Sequence, residues 1–151
     1  MTVTVGQQAP DFTLVNQRGE KVTLSDLRGR KVVLVFFPFA FSDLCTTELC
    51  SLRDRRGEFD DDTVLLGVSV DPKHALRVFK EQEGLGFDLL SDFWPHGEVA
   101  QAYGVFLPER GMATRATFVL DREGVVTWAV VNHPGEMRDV NDYRQAVEAL
   151  A

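Results

Sequence analysis

"KVVLVFFPFAFSDLCTTELCSLRDRRGEF", residues 31–59, passes from an unbroken apolar run into helical spacing and holds both cysteines of the chain, Cys45 and Cys50. Its first part, 31–37, is β-branched and aromatic, which suits a central strand buried on both faces. Beyond it, Leu49, Leu52 and Phe59 fall near one face, so the spacing predicts a helix over 42–59 with Ser42 or Asp43 as its cap. The next apolar run, "TVLLGVSV" (63–70), reads as a second buried strand. Two strands joined through a helix are expected to be parallel, with a right-handed crossover. Both cysteines then lie at the carboxyl end of a central strand, where open α/β sheets place their sites.

Working outward, "FTLVNQRGEKVTL" (12–24) reads as a hairpin around a polar, Gly-containing turn. "DPKHALRVFKEQEG" (71–84) reads as a helix with Asp71 as N-cap, Pro72 in the first helical position and Gly84 past the end. "FDLLSD" (87–92) is a short strand or extended edge, and "HGEVAQAYGV" (96–105) a short helix after the turn-like "WPHG". "TRATFVLDREGVVTWAVV" (114–131) is a hairpin turning at "DREG". "DVNDYRQAVEALA" (139–151) closes the chain as a helix with Tyr143, Ala146, Val147 and Leu150 on one face. This alternation predicts an α/β fold with a central mixed sheet flanked by helices, in one domain spanning 1–151. No repeat or linker interrupts it.

Hydrophobic residues make up 44% and charged residues 26%, an ordinary globular balance. The net charge of −7 and scattered basic residues argue against a nucleic-acid partner, which needs a local excess of Lys and Arg. The densest basic group, "RDRR" (53–56), is followed at once by acids and reads as a solvated helix face. The longest apolar run, "VVLVFFPFAF", is ten residues with a proline, well short of the ~20 a membrane span needs. "MTVTVGQQAPDF" lacks the basic and apolar regions of a secretory signal, so a cytoplasmic location is expected. In that compartment a cysteine pair is more often catalytic or metal-binding than a permanent staple.

Four uses of two thiols compete: buried packing, half of a metal site, a structural staple, or a redox pair. Free cysteine often simply packs, and Cys50, in mid-helix, fits that role. Cys45 falls in the first helical turn, where open N–H groups and the positive end of the helix dipole favour a thiolate. A closed zinc site needs four ligands, and His74, His96 and His133 are isolated from one another, so no metal is expected. A Cys–His hydrolase has no marked histidine. "GLGFDLL" lacks the third glycine of a dinucleotide loop, and no nucleophile elbow is present. A redox pair carries a geometric condition. On an intact helix, residues five apart have Cα atoms roughly 8.6 Å apart, whereas a disulfide needs about 4.4–6.8 Å. Pairing of Cys45 with Cys50 therefore requires the first turns of the helix to unwind.

"PFAFSDLC" resembles the peroxiredoxin active-site pattern P-x-x-x-[T/S]-x-x-C, with Pro38, Ser42 and Cys45 in the fixed places. "APDFTL" (9–14) and "RATFVLDREGVV" (115–126) are also similar to peroxiredoxin sequences, so the resemblance covers nearly the whole chain. "LLSDFWPHGEVAQAYGVF" (89–106) resembles the alkyl hydroperoxide reductase E group. "CTTELC" resembles the Q class, the bacterioferritin comigratory proteins. The resemblance implies a thioredoxin-like fold and cofactor-free reduction of hydrogen peroxide and organic hydroperoxides. It makes Cys45 the peroxidatic cysteine, with Ser42, standing where most members have Thr, bonding peroxide and thiolate. Pro38 shields the thiolate from water, Arg115 stabilises the developing charge, and Glu48 orients that network. Cys50, in the Q-class place, resolves Cys45 as an intramolecular disulfide. Many reductase E relatives instead work with one cysteine and rely on an external thiol. The resemblance further implies recycling by thioredoxin, mycoredoxin, mycothiol or a similar thiol, and an A-type homodimer, although Q-class relatives are often monomeric. Trp94 and Pro95 read as packing residues, or as part of a dimer interface or of the surroundings of the active-site pocket. The rival readings are a disulfide oxidoreductase, which would carry C-x-x-C, and a peroxide sensor built on the same switch.

Overall fold

Strand β3 (Lys31–Phe36) is buried at every residue, and its side chains feed two separate cores. The computed structural model describes residues 2–150. Val32, Leu34 and Phe36 point into one cluster with Val68, Tyr103 and Phe118. Val33 and Val35 point into the other, with Leu49, Leu52, Phe79 and Tyr143. The period-2 alternation of a strand thus places β3 between two layers, which is why no polar residue interrupts its run.

The remaining elements follow in chain order. A hairpin of β1 (Thr13–Asn16) and β2 (Lys21–Thr23) precedes β3. Then come α1 (Asp43–Asp54), β4 (Thr63–Ser69), α2 (Lys73–Glu83), β5 (Asp88–Ser91) and α3 (Glu98–Ala102). A small ladder of β6 (Phe106–Leu107) and β7 (Met112–Ala113) leads to β8 (Arg115–Leu120), β9 (Val126–Asn132) and α4 (Val140–Glu148). Seven strands form one sheet in the order β2-β1-β5-β4-β3-β8-β9. β3, β4 and β5 are parallel, and the flanking strands are antiparallel to them. Both crossovers, β3-α1-β4 and β4-α2-β5, step the same way across the sheet. Right-handedness therefore puts α1 and α2 on one face, and α4 joins them in the same core. Val99 and Ala100 of α3 pack in the opposite core. This is the expected mixed α/β architecture, a thioredoxin-like fold with an N-terminal hairpin.

Several local expectations change. α1 ends at Asp54, and a 3-10 turn over Arg56–Glu58 replaces the rest of the expected helix. The turn shortens the approach to β4 while Phe59 still stacks on Tyr143. The cap of α2 falls at Pro72, in extended geometry, with no side-chain cap. Asp71 turns away, because its Oδ2 accepts from the Ala40 amide at 2.8 Å and the Ser69 hydroxyl at 2.6 Å. Gly84 ends α2 in the left-handed region, as expected. "DREG" turns the β8–β9 hairpin, with Asp121 Oδ1 accepting from the Glu123 and Val125 amides. The β6–β7 ladder was not foreseen, and α3 is shorter than expected. α4 ends at Glu148, while the expected helix ran to Ala151, which lies outside the described residues. Trp94, read as a packing residue, is 79% exposed.

Candidate active site

Because β3, β4 and β5 run parallel, the loops after them share one edge of the sheet. β8 runs the other way, so it begins at that edge: Ala116 pairs with Phe36, and Arg115 lies one residue beyond. The chain leaves β3 through buried Pro38, exposed Phe39 and Phe41, and enters α1 at Asp43. Phe41 has φ 70, a left-handed conformation strained for a bulky L-residue. Its ring is held edge-on against Phe79 at 5.1 Å, and the neighbouring Ala40 amide is tied to Asp71. The loop is thus fixed by contacts from α2 and from the end of β4. Burial pushes the Asp71 carboxyl up, against the pull of the Ala40 and Ser69 hydrogen bonds.

Cys45 is the third residue of α1 and is fully buried. Glu48 follows three residues later, on the same helix face. Both meet Arg115, whose Nη1 lies 3.3 Å from Cys45 Sγ and 2.7 Å from Glu48 Oε1. Arg115 Nε donates to the Pro134 carbonyl at 2.6 Å, which locks the guanidinium plane. A second arginine completes the cluster. Arg138 Nη2 donates to Glu48 Oε1 at 2.7 Å and Nε to Oε2 at 3.1 Å, while its backbone amide donates to Oε2 at 2.7 Å. Its Nη1 donates to the carbonyls of Phe36 and Ala116 at 2.7 and 2.8 Å and to the Thr117 hydroxyl at 3.2 Å.

Glu48, Arg115 and Arg138 are all more than nine-tenths buried. Burial alone would raise the Glu48 carboxyl. The hydrogen bonds and charge of Arg138, with Arg115 behind them, outweigh it and hold the group below the usual carboxylate range. Two guanidinium groups and one carboxylate leave one buried positive charge over. Arg115 presents that charge to Cys45 Sγ. An arginine also suits this place because its planar fork serves sulfur, carboxylate and carbonyl at fixed angles.

Ser42 sits at the N-cap position without capping through its side chain. Its hydroxyl donates to the Phe39 carbonyl at 2.8 Å instead of to the sulfur, and its carbonyl accepts from the Thr46 amide. The first-turn amides are thus not closed off by the residue that most often does so. Cys50 points elsewhere. It is half-buried, and its Sγ donates to Glu83 Oε1 at 3.4 Å. Burial first, then the Glu83 hydrogen bond, push this thiol up, with Arg53 opposing. Both cysteines are free, and α1 is unbroken between them. Among the described residues, no three His, Cys, Asp or Glu side chains are grouped to hold a metal ion, and no helix is long and apolar enough to cross a membrane.

The structure brings Pro38, Ser42, Cys45, Glu48 and Arg115 to one edge and sets Cys50 apart. Arg138 was missed in the sequence. It stands in the loop "GEMRD", where a lone arginine before a helix cap has no local mark, and its burial comes from two carbonyls at the end of the β3–β8 ladder.

Residues 5–129 match the model of the AhpC/TSA family. The chain is 49% identical over 150 residues to alkyl hydroperoxide reductase E of Mycobacterium tuberculosis, covering 98% of each chain. It is 40% identical over 131 residues to a putative peroxiredoxin bcp of Haemophilus influenzae, covering 82% of this chain and 83% of that one. Among solved structures, the peroxidoxin BcpB of Mycobacterium tuberculosis superposes with a TM-score of 0.83 at 32% identity, covering 95% of this chain and 94% of the other. The AhpC of Enterococcus faecalis superposes at 0.89 with 25% identity, covering 99% and 92%. With the expected motif residues gathered at one sheet edge and similarity along nearly its whole length, the chain belongs to the AhpC/TSA family and is a peroxiredoxin.

Proposed function

We propose that this chain, a thiol-dependent peroxidase, reduces hydrogen peroxide and organic hydroperoxides with Cys45 as the attacking thiolate and Cys50 as the resolving thiol. The observation that carries the reading is Arg115 Nη1, which reaches both Cys45 Sγ and Glu48 Oε1 inside a buried cluster with one positive charge over. The thiolate attacks one peroxide oxygen, the O–O bond breaks, and the departing alkoxide or hydroxide takes up the proton that the thiol released, leaving as alcohol or water. Cys45 is left as sulfenic acid. Charge moves from sulfur across two oxygens during this step, so a fixed guanidinium beside them lowers the barrier more than it stabilises the thiolate. The Ser42 hydroxyl turns from the Phe39 carbonyl to the bound peroxide. Pro38 keeps water from the sulfur. The exposed rings of Phe39 and Phe41 give the approach an apolar rim that suits organic peroxides.

The Cys50 sulfur then displaces the hydroxyl of Cys45, forming the disulfide and releasing water. On intact α1 the two Cα atoms are roughly 8.6 Å apart, beyond disulfide reach, so this step requires the helix to open. Thioredoxin, mycoredoxin, mycothiol or a similar thiol of the cytoplasm restores both cysteines by exchange. A one-cysteine cycle, with the external thiol attacking Cys45 directly, is the second reading, favoured by the hold of Glu83 on Cys50. Exposed Phe93, Trp94 and Met137 offer apolar surface for an A-type homodimer.

One equivalent of peroxide is added to wild type, Cys45→Ser and Cys50→Ser, followed by intact mass and free-thiol measurement. Wild type should gain a disulfide and Cys50→Ser a sulfenic acid, while Cys45→Ser consumes no peroxide rapidly. A wild type without a disulfide refutes the two-thiol cycle, and rapid consumption by Cys45→Ser refutes the assignment of Cys45.

A further inference from the structure

Cys50 is held by a partner that the cycle above does not use. Its Sγ donates to Oε1 of Glu83, the last residue of α2, at 3.4 Å. The other carboxylate oxygen accepts from Gln82 Nε2 at 3.2 Å, so the acid is fixed on both sides. The Glu83 carbonyl accepts from Arg53 Nη1, one turn further along α1. α1 is thereby fastened to the end of α2 at two successive turns, first by a thiol and then by a guanidinium.

We infer that Glu83 is a positioning residue for Cys50: its carboxylate latches the thiol in its helical seat, and release of that latch limits formation of the Cys45–Cys50 disulfide. The inference rests on Cys50 being the resolving thiol. For Cys50 to reach Cys45, the turns between them must unwind, and the bond from Sγ to Glu83 must break. In the step itself the Cys50 Sγ–H loses its proton, the sulfur attacks Cys45 Sγ, and the S–O bond breaks. The departing hydroxide takes up a proton and leaves as water. The latch opposes this in two ways. It holds the sulfur at a distance, and its negative charge disfavours the thiolate that must attack. Three charged groups face this thiol: Glu83 from α2, and Arg53 and Asp54 from α1. Of these, only Arg53 favours the thiolate. Slow release prolongs the life of the sulfenic acid, leaving it open to a second peroxide and sulfinic acid.

Glu83→Ala removes the carboxylate and keeps the backbone carbonyl that Arg53 binds. Reduced protein is mixed with one equivalent of peroxide and quenched at intervals with a thiol-blocking reagent. Intact mass then separates sulfenic acid from disulfide. The oxidation of Cys45 should proceed at the wild-type rate. The disulfide should form about fivefold faster, the factor that one hydrogen bond of ordinary net strength represents. Accumulation of sulfinic acid should need correspondingly more peroxide. In a Cys45→Ser background, the pH midpoint for alkylation of Cys50 should move down when Glu83 is replaced by Ala. A merely structural role would speed alkylation equally at every pH. A disulfide forming at the same rate in both proteins, or an unmoved alkylation midpoint, overturns the latch alone. A wild type that forms no disulfide overturns the resolving role of Cys50, and the latch with it.

Discussion

Replacing Arg138 by alanine removes five side-chain hydrogen bonds: two to Glu48, one each to the Phe36 and Ala116 carbonyls, and one to Thr117. Glu48 keeps Arg115 and one backbone amide, but loses the partner that contributes most to holding it ionised. Breaking a buried ion pair by removing one member costs about 3–5 kcal/mol. A domain of ordinary stability, about 5–15 kcal/mol, survives that loss but with a narrow margin. The loss depends on pH in a defined direction. In the wild type the Glu48 carboxyl is lower in the folded state than in the unfolded chain. Its contribution is present above the unfolded value, about 4.3, and is lost as pH falls through the folded one. In the variant burial dominates, and the folded carboxyl rises above the unfolded value. Protonation then relieves the buried charge, so the deficit is largest near neutrality and shrinks on acidification. Urea titration of the reduced proteins, followed by far-ultraviolet circular dichroism at about pH 7.5 and about pH 5, measures both quantities. A deficit below about 1 kcal/mol, or one equal at the two pH values, would refute the view that Arg138 keeps Glu48 charged.

Two further outcomes are expected. Arg115→Lys should slow the reaction of Cys45 with peroxide about a hundredfold, because an ammonium cannot serve Cys45, Glu48 and Pro134 together; stopped-flow mixing reads the rate, and a wild-type rate counts against the charge-stabilising role. Asp71→Asn should gain stability relative to wild type as pH rises from about 4 to about 8. The raised folded carboxyl makes ionised Asp71 a cost that an amide, still able to accept from Ala40, does not carry; matched urea titrations that show no such trend refute it.

What could be read in the sequence divides by the range of the contacts involved. The apolar run of β3, the helical spacing after it and the alternation of elements are local patterns, and they predicted the mixed sheet and the place of Cys45. Glu48 was within reach because it follows Cys45 by one helical turn. Arg115 was readable from its position before a strand that resembled a known motif. Asp71 was misread for a physical reason. Asp-Pro before a helix is a strong cap signal, but the Ala40 amide, 31 residues away in the chain, competes for the same carboxylate and wins. Arg138 acts across 90 residues to Glu48 and 102 to Phe36, and nothing next to it in the chain announces those partners. Trp94 is a large apolar residue, so packing was the natural expectation, and its exposure depends on a turn whose shape the composition does not reveal.

The position of Arg138 also bears on the order in which a growing chain acquires its chemistry. Glu48 is made 90 residues before Arg138, with Cys45 just ahead of it, and the strands around them can begin to pair in that interval. The arginine that closes the cluster follows β8 and β9, the last strands to join the described sheet. Until that segment has emerged and docked at the end of the β3–β8 ladder, Glu48 is without its main partner and Arg115 without a fixed counterpart. A chain made only that far carries Cys45 and Glu48 without the arginine that holds the carboxylate, so the cluster is completed last, by the docking of one loop.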